Sequence, residues 1–189
     1  YASARWGMSA PQTVTWTWDE AHGRTGFRRA QAIMDEAEAD PSGLLRGIVF
    51  PAQIDTVEEG LLRDSAALAA ERGRPFTTHI AQAVIEVQEM IRRHGMTPIQ
   101  WAAAIGILSP RAILGHAIFI DEHPSIRWHA ARDLALMVEH GVAVAHCPSP
   151  FARYGEHLRD FGRYRRRGVR MAMGTDVAPH NIIEEMRLA

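Results

Sequence analysis

The chain has 189 residues, 47% apolar and 23% charged, with a formal net charge of -1. That length can bury one substantial core but falls short of the roughly 250 residues of a complete eight-stranded α/β barrel, and the near-neutral balance gives no overall pull toward nucleic acid or an anionic membrane. A single cysteine, Cys147, excludes an internal disulfide and fits a reducing, cytoplasmic setting, while no apolar run reaches the ~18 to 20 residues of a membrane span and no leader-like segment opens the chain.

In chain order, Tyr1 to Gln12 reads as loop. Thr13 to Trp18 alternates as a strand does, and Gly26 to Ala39 has the alanine, glutamate and arginine content of a helix. From about residue 44 the chain alternates short apolar runs with helical stretches, the pattern of βα units on a parallel sheet. Leu44 to Pro51 reads as a strand and Val57 to Arg72 as an amphipathic helix closed by Gly73. Arg74 to Ala81 is the next strand, followed by a helix through His94 that Gly95 stops. Thr97-Pro98 opens a short helix, threonine capping it and proline in its first turn.

Ala112 to Ile120 reads as a strand and Ser125 to His140 as a helix ended by Gly141. Val142 to Cys147 and Val169 to Gly174 are further strands, with a helix over about Gly155 to Arg167 between them, and Ile182 to Ala189 is helical. The basic run Arg163-Tyr-Arg-Arg-Arg167 reads as a solvated helix face. The expectation is one domain over residues 1-189, irregular over 1-43 and built of βα units over 44-189.

Four segments end in groups that bind cations: Phe76-Thr-Thr-His79, Ala112-Ile-Leu-Gly-His116, Val142-Ala-Val-Ala-His146 and Met171-Ala-Met-Gly-Thr-Asp176. In a parallel α/β barrel the C-terminal ends of successive strands meet on one rim, where such enzymes do chemistry. A lone histidine on a strand is more often a packing residue. Three imidazoles and a carboxylate at equivalent strand ends point instead to a divalent metal, because neutral imidazole and ionised carboxylate both donate to it at neutral pH.

His79-Ile-Ala-Gln82, Gly115-His116-Ala-Ile-Phe-Ile-Asp121, His146-Cys-Pro148 and Gly174-Thr-Asp176 followed by Glu184-Glu-Met-Arg187 resemble the second half of the amidohydrolase superfamily, within its cytosine deaminase, S-adenosylhomocysteine deaminase and triazine hydrolase branch. The resemblance runs from about Leu44 to the C-terminus. It implies an α/β fold, part of a (β/α)8 barrel of about five to six βα units, roughly strands 4 to 8, with the N-terminal strands missing. It implies a hydrolase acting on non-peptide carbon-nitrogen bonds, deaminating or dechlorinating a heterocycle or amidine with a metal-activated water. The cofactor would be zinc, with iron as the alternative. His79, Asp176 and His116 match metal positions. Asp176 would also be the proton carrier, His116 a stabiliser of developing charge, and Gln82 the third group at the reacting centre. His146, His180 and Asn181 would contact a small-molecule substrate.

The sequence departs from the branch in three places. Gln82 stands where glutamate protonates a substrate ring nitrogen, and an amide can donate a hydrogen bond but cannot deliver a proton. Pro150-Phe151 replaces the usual Ser-Asn. No His-X-His pair occurs, and without it the remaining ligands are fewer than a closed zinc site uses. The chain is therefore expected to be part of a longer gene product, with the metal weakly held or absent and with self-association through open strand edges and apolar faces. The competing readings are a non-catalytic barrel remnant acting as a binding or assembly module, and histidines that merely pack in an unrelated βα sheet.

Overall fold

The computed structural model describes residues 1–189, which form two compact units, Tyr1–Thr78 and His79–Ala189. In the first unit, β1 (Ala4–Ala10) and β2 (Thr13–Trp18) make an antiparallel hairpin in which Trp6 lies opposite Trp16 and Met8 opposite Val14. The loop expected over residues 1–12 is thus mostly strand. Its alternation is masked because almost every hairpin residue is exposed, so no apolar face marks it in the sequence.

Helix α1 (Glu20–Glu38) begins six residues before the predicted Gly26. Asp19 caps it, its side chain accepting the His22 N–H at 2.8 Å. Gly23 and Gly26, which discourage a helix assignment, serve close packing: a Cβ on Gly26 would sit 2.6 Å from the Tyr1 side chain. The strand predicted over Leu44 to Pro51 shrinks to one bridge, Val49 with Phe76, and Leu44 and Leu45 are exposed. Helix α2 (Glu59–Glu71) buries Leu61, Leu62, Leu68 and Ala69 along one face, as its spacing requires.

Strand β3 (Phe76–Ile80) contributes His79 and Ile80 to the second unit. There α3 (Val84–His94) ends on Gly95 in the left-handed conformation, and α4 (Pro98–Ala104) starts with proline in its first turn and a Thr97 cap on the Gln100 N–H, both as read from sequence. Strands β4 (Ala112–His116), β5 (Ala143–His146) and β6 (Arg170–Met173) follow, with β4-β5 and β5-β6 parallel and the sheet ordered β3-β4-β5-β6. Leu114, Val144, Ile80, Ile99 and Met137 are fully buried and form the heart of this unit.

The helix predicted from Ser125 begins only at Asp133, as α5 (Asp133–Glu139). Arg127 adopts a positive φ of 49°, Trp128 N–H turns back to the Asp121 carbonyl, and the Asp121 carboxylate accepts the N–H groups of Arg132 and Asp133. That side chain satisfies the free donors of a helix start and fixes where it falls. The long helix expected between β5 and β6 is two short ones, α6 (Pro148–Ala152) and α7 (Phe161–Arg167), and α8 (Ile182–Leu188) closes the chain. No helix is long and apolar enough to cross a membrane.

Candidate metal centre

Strand polarity does the assembling. Parallel strands carry the residue after their last hydrogen-bonded position to a common edge, and here His79 near the end of β3, His116 ending β4 and Asp176 just past β6 meet. One donor atom from each lies within 4.8 Å of the other two. The His79 and His116 rings stack at 5.2 Å with 14° between planes, and His116 Nε2 stands 4.0 Å from Asp176 Oδ2.

The three differ in burial. His116 is 2% exposed, His79 half-buried, and the Asp176 side chain about a third accessible at 33%. Burial first, then the neighbouring His79 and His146, push the His116 pKa down to about 3. The imidazole is therefore neutral across the ordinary pH range, the state in which a ring nitrogen can ligate a cation. Its Nδ1 is buried with no hydrogen-bond partner. A carboxylate and two imidazoles, one with an unmet buried nitrogen, suit a borderline cation such as zinc, and the residues present fit that group as a partial ligand set.

The backbone here is held in unusual conformations. His116 (φ 77°), Ala117 (φ 47°), Ala81 (φ 51°) and Asp176 (φ 56°) are all left-handed, although none is glycine. Non-glycine residues in this region carry a conformational cost and persist where surrounding contacts fix them. After β3 the fixing group is Glu86, 1% exposed, whose carboxylate accepts the Ala81 and Gln82 N–H groups at 2.6 and 2.9 Å. After β5, where no left-handed residue occurs, Glu185 on α8, also 1% exposed, accepts the Ser149 N–H at 3.0 Å at the start of α6. Glu185 falls within the Glu184-Glu-Met-Arg187 motif noted in the sequence, whereas Glu86, the one acidic residue in the first turn of α3, carried no such signal.

Strands β5 and β6 meet tightly beside the centre. Gly174 N–H bonds the His146 carbonyl at 3.0 Å, and a Cβ at residue 174 would lie 3.1 Å from Cys147 Sγ. Burial, then the charges of Asp176 and Glu185, raise the Cys147 pKa to about 11, so the thiol stays protonated and packs as an apolar group.

The other residues read from sequence lie outside the three-donor cluster. His146, 1% exposed at the end of β5, has its pKa lowered to about 4 by burial, with an unpartnered Nδ1 and the Phe161 ring 6.0 Å away. Gln82 is half-buried two residues past the end of β3, with its N–H bound to Glu86. His180 is exposed, its Nδ1 2.9 Å from Thr175 Oγ1. Asn181 caps α8, its Oδ1 accepting the N–H groups of Ile183 and Glu184. One neighbour of the centre emerges only from the structure: the Phe151 ring meets His116 edge-on at 4.6 Å. The sequence signal was the Pro150-Phe151 departure, which gave no direction for the ring.

The sequence pattern of the amidohydrolase family matches residues 16–189. Among curated proteins the chain is 28% identical over 167 residues to the 5'-deoxyadenosine deaminase of Methanothermobacter thermautotrophicus, covering 86% of this chain and 37% of the relative. It is 26% identical over 173 residues to the 5-methylthioadenosine/S-adenosylhomocysteine deaminase of Natronomonas pharaonis, covering 89% and 38%. The chain thus spans a little over a third of the length of these relatives. Among solved structures, the atrazine chlorohydrolase of Arthrobacter aurescens TC1 complexed with zinc superposes with a TM-score of 0.69 at 23% identity, over 89% of this chain and 34% of that one. The guanine deaminase of C. acetobutylicum with bound guanine gives 0.69 at 16% identity, over 92% and 38%. At these identities the structural likeness speaks to the fold: the parallel βα sheet corresponds to part of an amidohydrolase barrel.

Proposed function

The chain belongs to the amidohydrolase family, and from that premise we propose that it carries the β3-to-β6 part of a divalent-cation-dependent hydrolase acting on non-peptide carbon-nitrogen or carbon-halogen bonds of a small heterocycle or amidine. The observation that carries this reading is the convergence of His79, His116 and Asp176 donors within 4.8 Å. Those three side chains would hold the ion, zinc before iron on the chemistry of the donor set. When bound, such a cation lowers the pKa of a coordinated water toward roughly 7 and polarises the electrophile.

The protein supplies the rest. Asp176, the most accessible of the three, can take a proton from the attacking water at Oδ2 and return it to the departing group, with His116 Nε2 4.0 Å away to bear on the charge that develops. Gln82 can orient a substrate ring by donating a hydrogen bond from its amide, and it leaves proton delivery to Asp176. His146, neutral and buried with a free ring nitrogen, is a substrate-contacting group on the β5 side, and His180 with Asn181 flank the Asp176 loop. Phe151 supplies an apolar wall against His116. Self-association belongs to the same proposal: Ile182, Ile183, Met186 and Leu188 leave an apolar stripe on α8 exposed.

Metal analysis and calorimetric zinc titration test the centre. Hydrolysis of aminated and chlorinated heterocycles by the full gene product, with Asp176→Asn alongside, tests the chemistry. Stoichiometric zinc with turnover abolished in the variant is expected. Unchanged turnover in Asp176→Asn would remove the proposed proton carrier, and no zinc uptake would leave a non-catalytic binding module as the reading.

A further inference from the structure

The left-handed pair at the end of β4 has a restraint that none of the centre's own side chains supplies. Ala117 N–H turns back to the carbonyls of Ile80 (3.0 Å) and Gly115 (3.2 Å), and the next two N–H groups, of Ile118 and Phe119, both meet the Ala81 carbonyl at 2.9 and 2.8 Å. The Ala117 carbonyl accepts the phenol of Tyr164 at 2.7 Å. Tyr164 lies on α7, 4% exposed, and burial raises its pKa, so the hydroxyl remains a donor. Its own carbonyl accepts the Val169 N–H at 3.0 Å, at the entry to β6, the strand that leads to Asp176. One residue therefore ties the turn carrying His116 to the strand preceding Asp176.

We propose that Tyr164 is a positioning residue of the candidate centre, its hydroxyl holding the Ala117 carbonyl so that the His116-Ala117 turn stays left-handed and His116 Nε2 faces Asp176. The consequence for metal binding rests on the assignment of His116 to the centre under Proposed function; the conformational claim stands on the hydrogen bond and backbone alone. A buried carbonyl that loses its donor is left unsatisfied, and an alanine released from this conformation relaxes to the right-handed or extended region that L-residues prefer. The imidazole one residue earlier then swings with it.

Tyr164→Phe in the full chain removes only the hydroxyl, and Tyr154→Phe, at a residue 83% exposed, is the control. The 13Cα and 13Cβ shifts of His116 and Ala117, recorded without metal, report their φ directly. Cobalt(II) titration, followed by visible absorbance, reports the centre. Tyr164→Phe is expected to move the two residues' shifts toward right-handed values, weaken cobalt binding by about tenfold or more and alter its spectrum. Adding Ala117→Gly, which adopts the left-handed turn without strain, should restore the His116 shifts and the cobalt binding in large part.

Unchanged shifts in Tyr164→Phe overturn the proposal. So does a loss of thermal stability with shift changes spread over the whole unit and no restoration by Ala117→Gly, the behaviour of a packing residue. If Tyr164→Phe does not fold, the double variant carries the test, and its failure to fold would equally count against a local role for the hydroxyl. A wild-type chain that takes up no cobalt refutes the metal assignment, while the shifts still decide the role of Tyr164.

Discussion

Asp133 offers the sharpest test of how this chain is held together. It is 0% exposed, and Asp121, 1% exposed, adjoins it: the Asp121 N–H donates to Asp133 Oδ2 at 2.8 Å, and the Asp133 N–H donates to Asp121 Oδ2 at 2.9 Å. Thr97 Oγ1 and Gln100 Nε2 donate to the other Asp133 oxygen at 2.7 and 3.1 Å. Burial first, then the Asp121 charge, raise the Asp133 pKa from 3.8 to about 7, against the pull of those donors. Between these values the folded protein keeps a proton that the unfolded chain has released. Stability from this group is therefore fully present below about pH 4 and falls as pH rises toward 7, by up to about 4 kcal/mol for a shift of this size. Asp133→Asn abolishes the titration, and its amide, like the protonated carboxyl, must aim a donor at the Asp121 N–H or at the Thr97 and Gln100 donors, a mismatch of about 1 to 3 kcal/mol that the variant carries at every pH. Urea unfolding of both proteins between about pH 4.5 and 8, followed by far-ultraviolet circular dichroism, gives the comparison. The wild type should lose stability relative to the variant as pH rises from the acid end to neutral. A stability difference independent of pH would refute the account of the pair.

Three further outcomes follow from the geometry. Zinc should raise the melting temperature of the wild type and a chelator should reverse this, by mass action on the folded state; in Asp176→Asn the zinc-dependent rise should largely vanish, and a rise equal to wild type would place the ion elsewhere. Leu114→Ala, at a fully buried position in the middle of β4, should cost about 2 to 5 kcal/mol in denaturant unfolding, and a loss under about 1 kcal/mol would contradict the core described above. Asn181→Ala removes the cap on a seven-residue helix and should cost about 1 kcal/mol locally, seen as faster amide exchange over α8; unchanged exchange of the Ile183 and Glu184 amides would show that the cap contributes nothing.

The βα rhythm from residue 74 onward was legible because buried strands and amphipathic helices impose apolar spacing, and because Gly95, Thr97 and Pro98 mark boundaries by local chemistry. The meeting of His79, His116 and Asp176 was legible for a related reason: parallel strands bring equivalent positions to one edge. What escaped had long-range causes. The start of α5 is set by Asp121, eleven to twelve residues upstream of the amides it caps. The first strand of the exposed hairpin, Ala4–Ala10, has no buried face to leave an imprint, whereas the alternation of Thr13–Trp18 was legible. Val49 is the one residue of the Leu44 to Pro51 stretch that forms a bridge, because a run of β-branched and large apolar residues states a preference and cannot name a partner. At the centre, the roles of Glu185 and Tyr164 depend on backbone groups 36 and 47 residues away, the Phe151 ring meets a side chain on β4, and Glu86 reaches amides only four and five residues back.

The close seat of Gly174 on Cys147 constrains how this protein can vary. A methyl at 174 would press on the sulfur, which would have to give by a few tenths of an ångström at the seam of two adjacent strands that lead to His146 and Asp176. A smaller residue at 147 would ease that contact, so the two positions are coupled. For anyone building variant libraries around this centre, the two sites are best treated as a single joint choice.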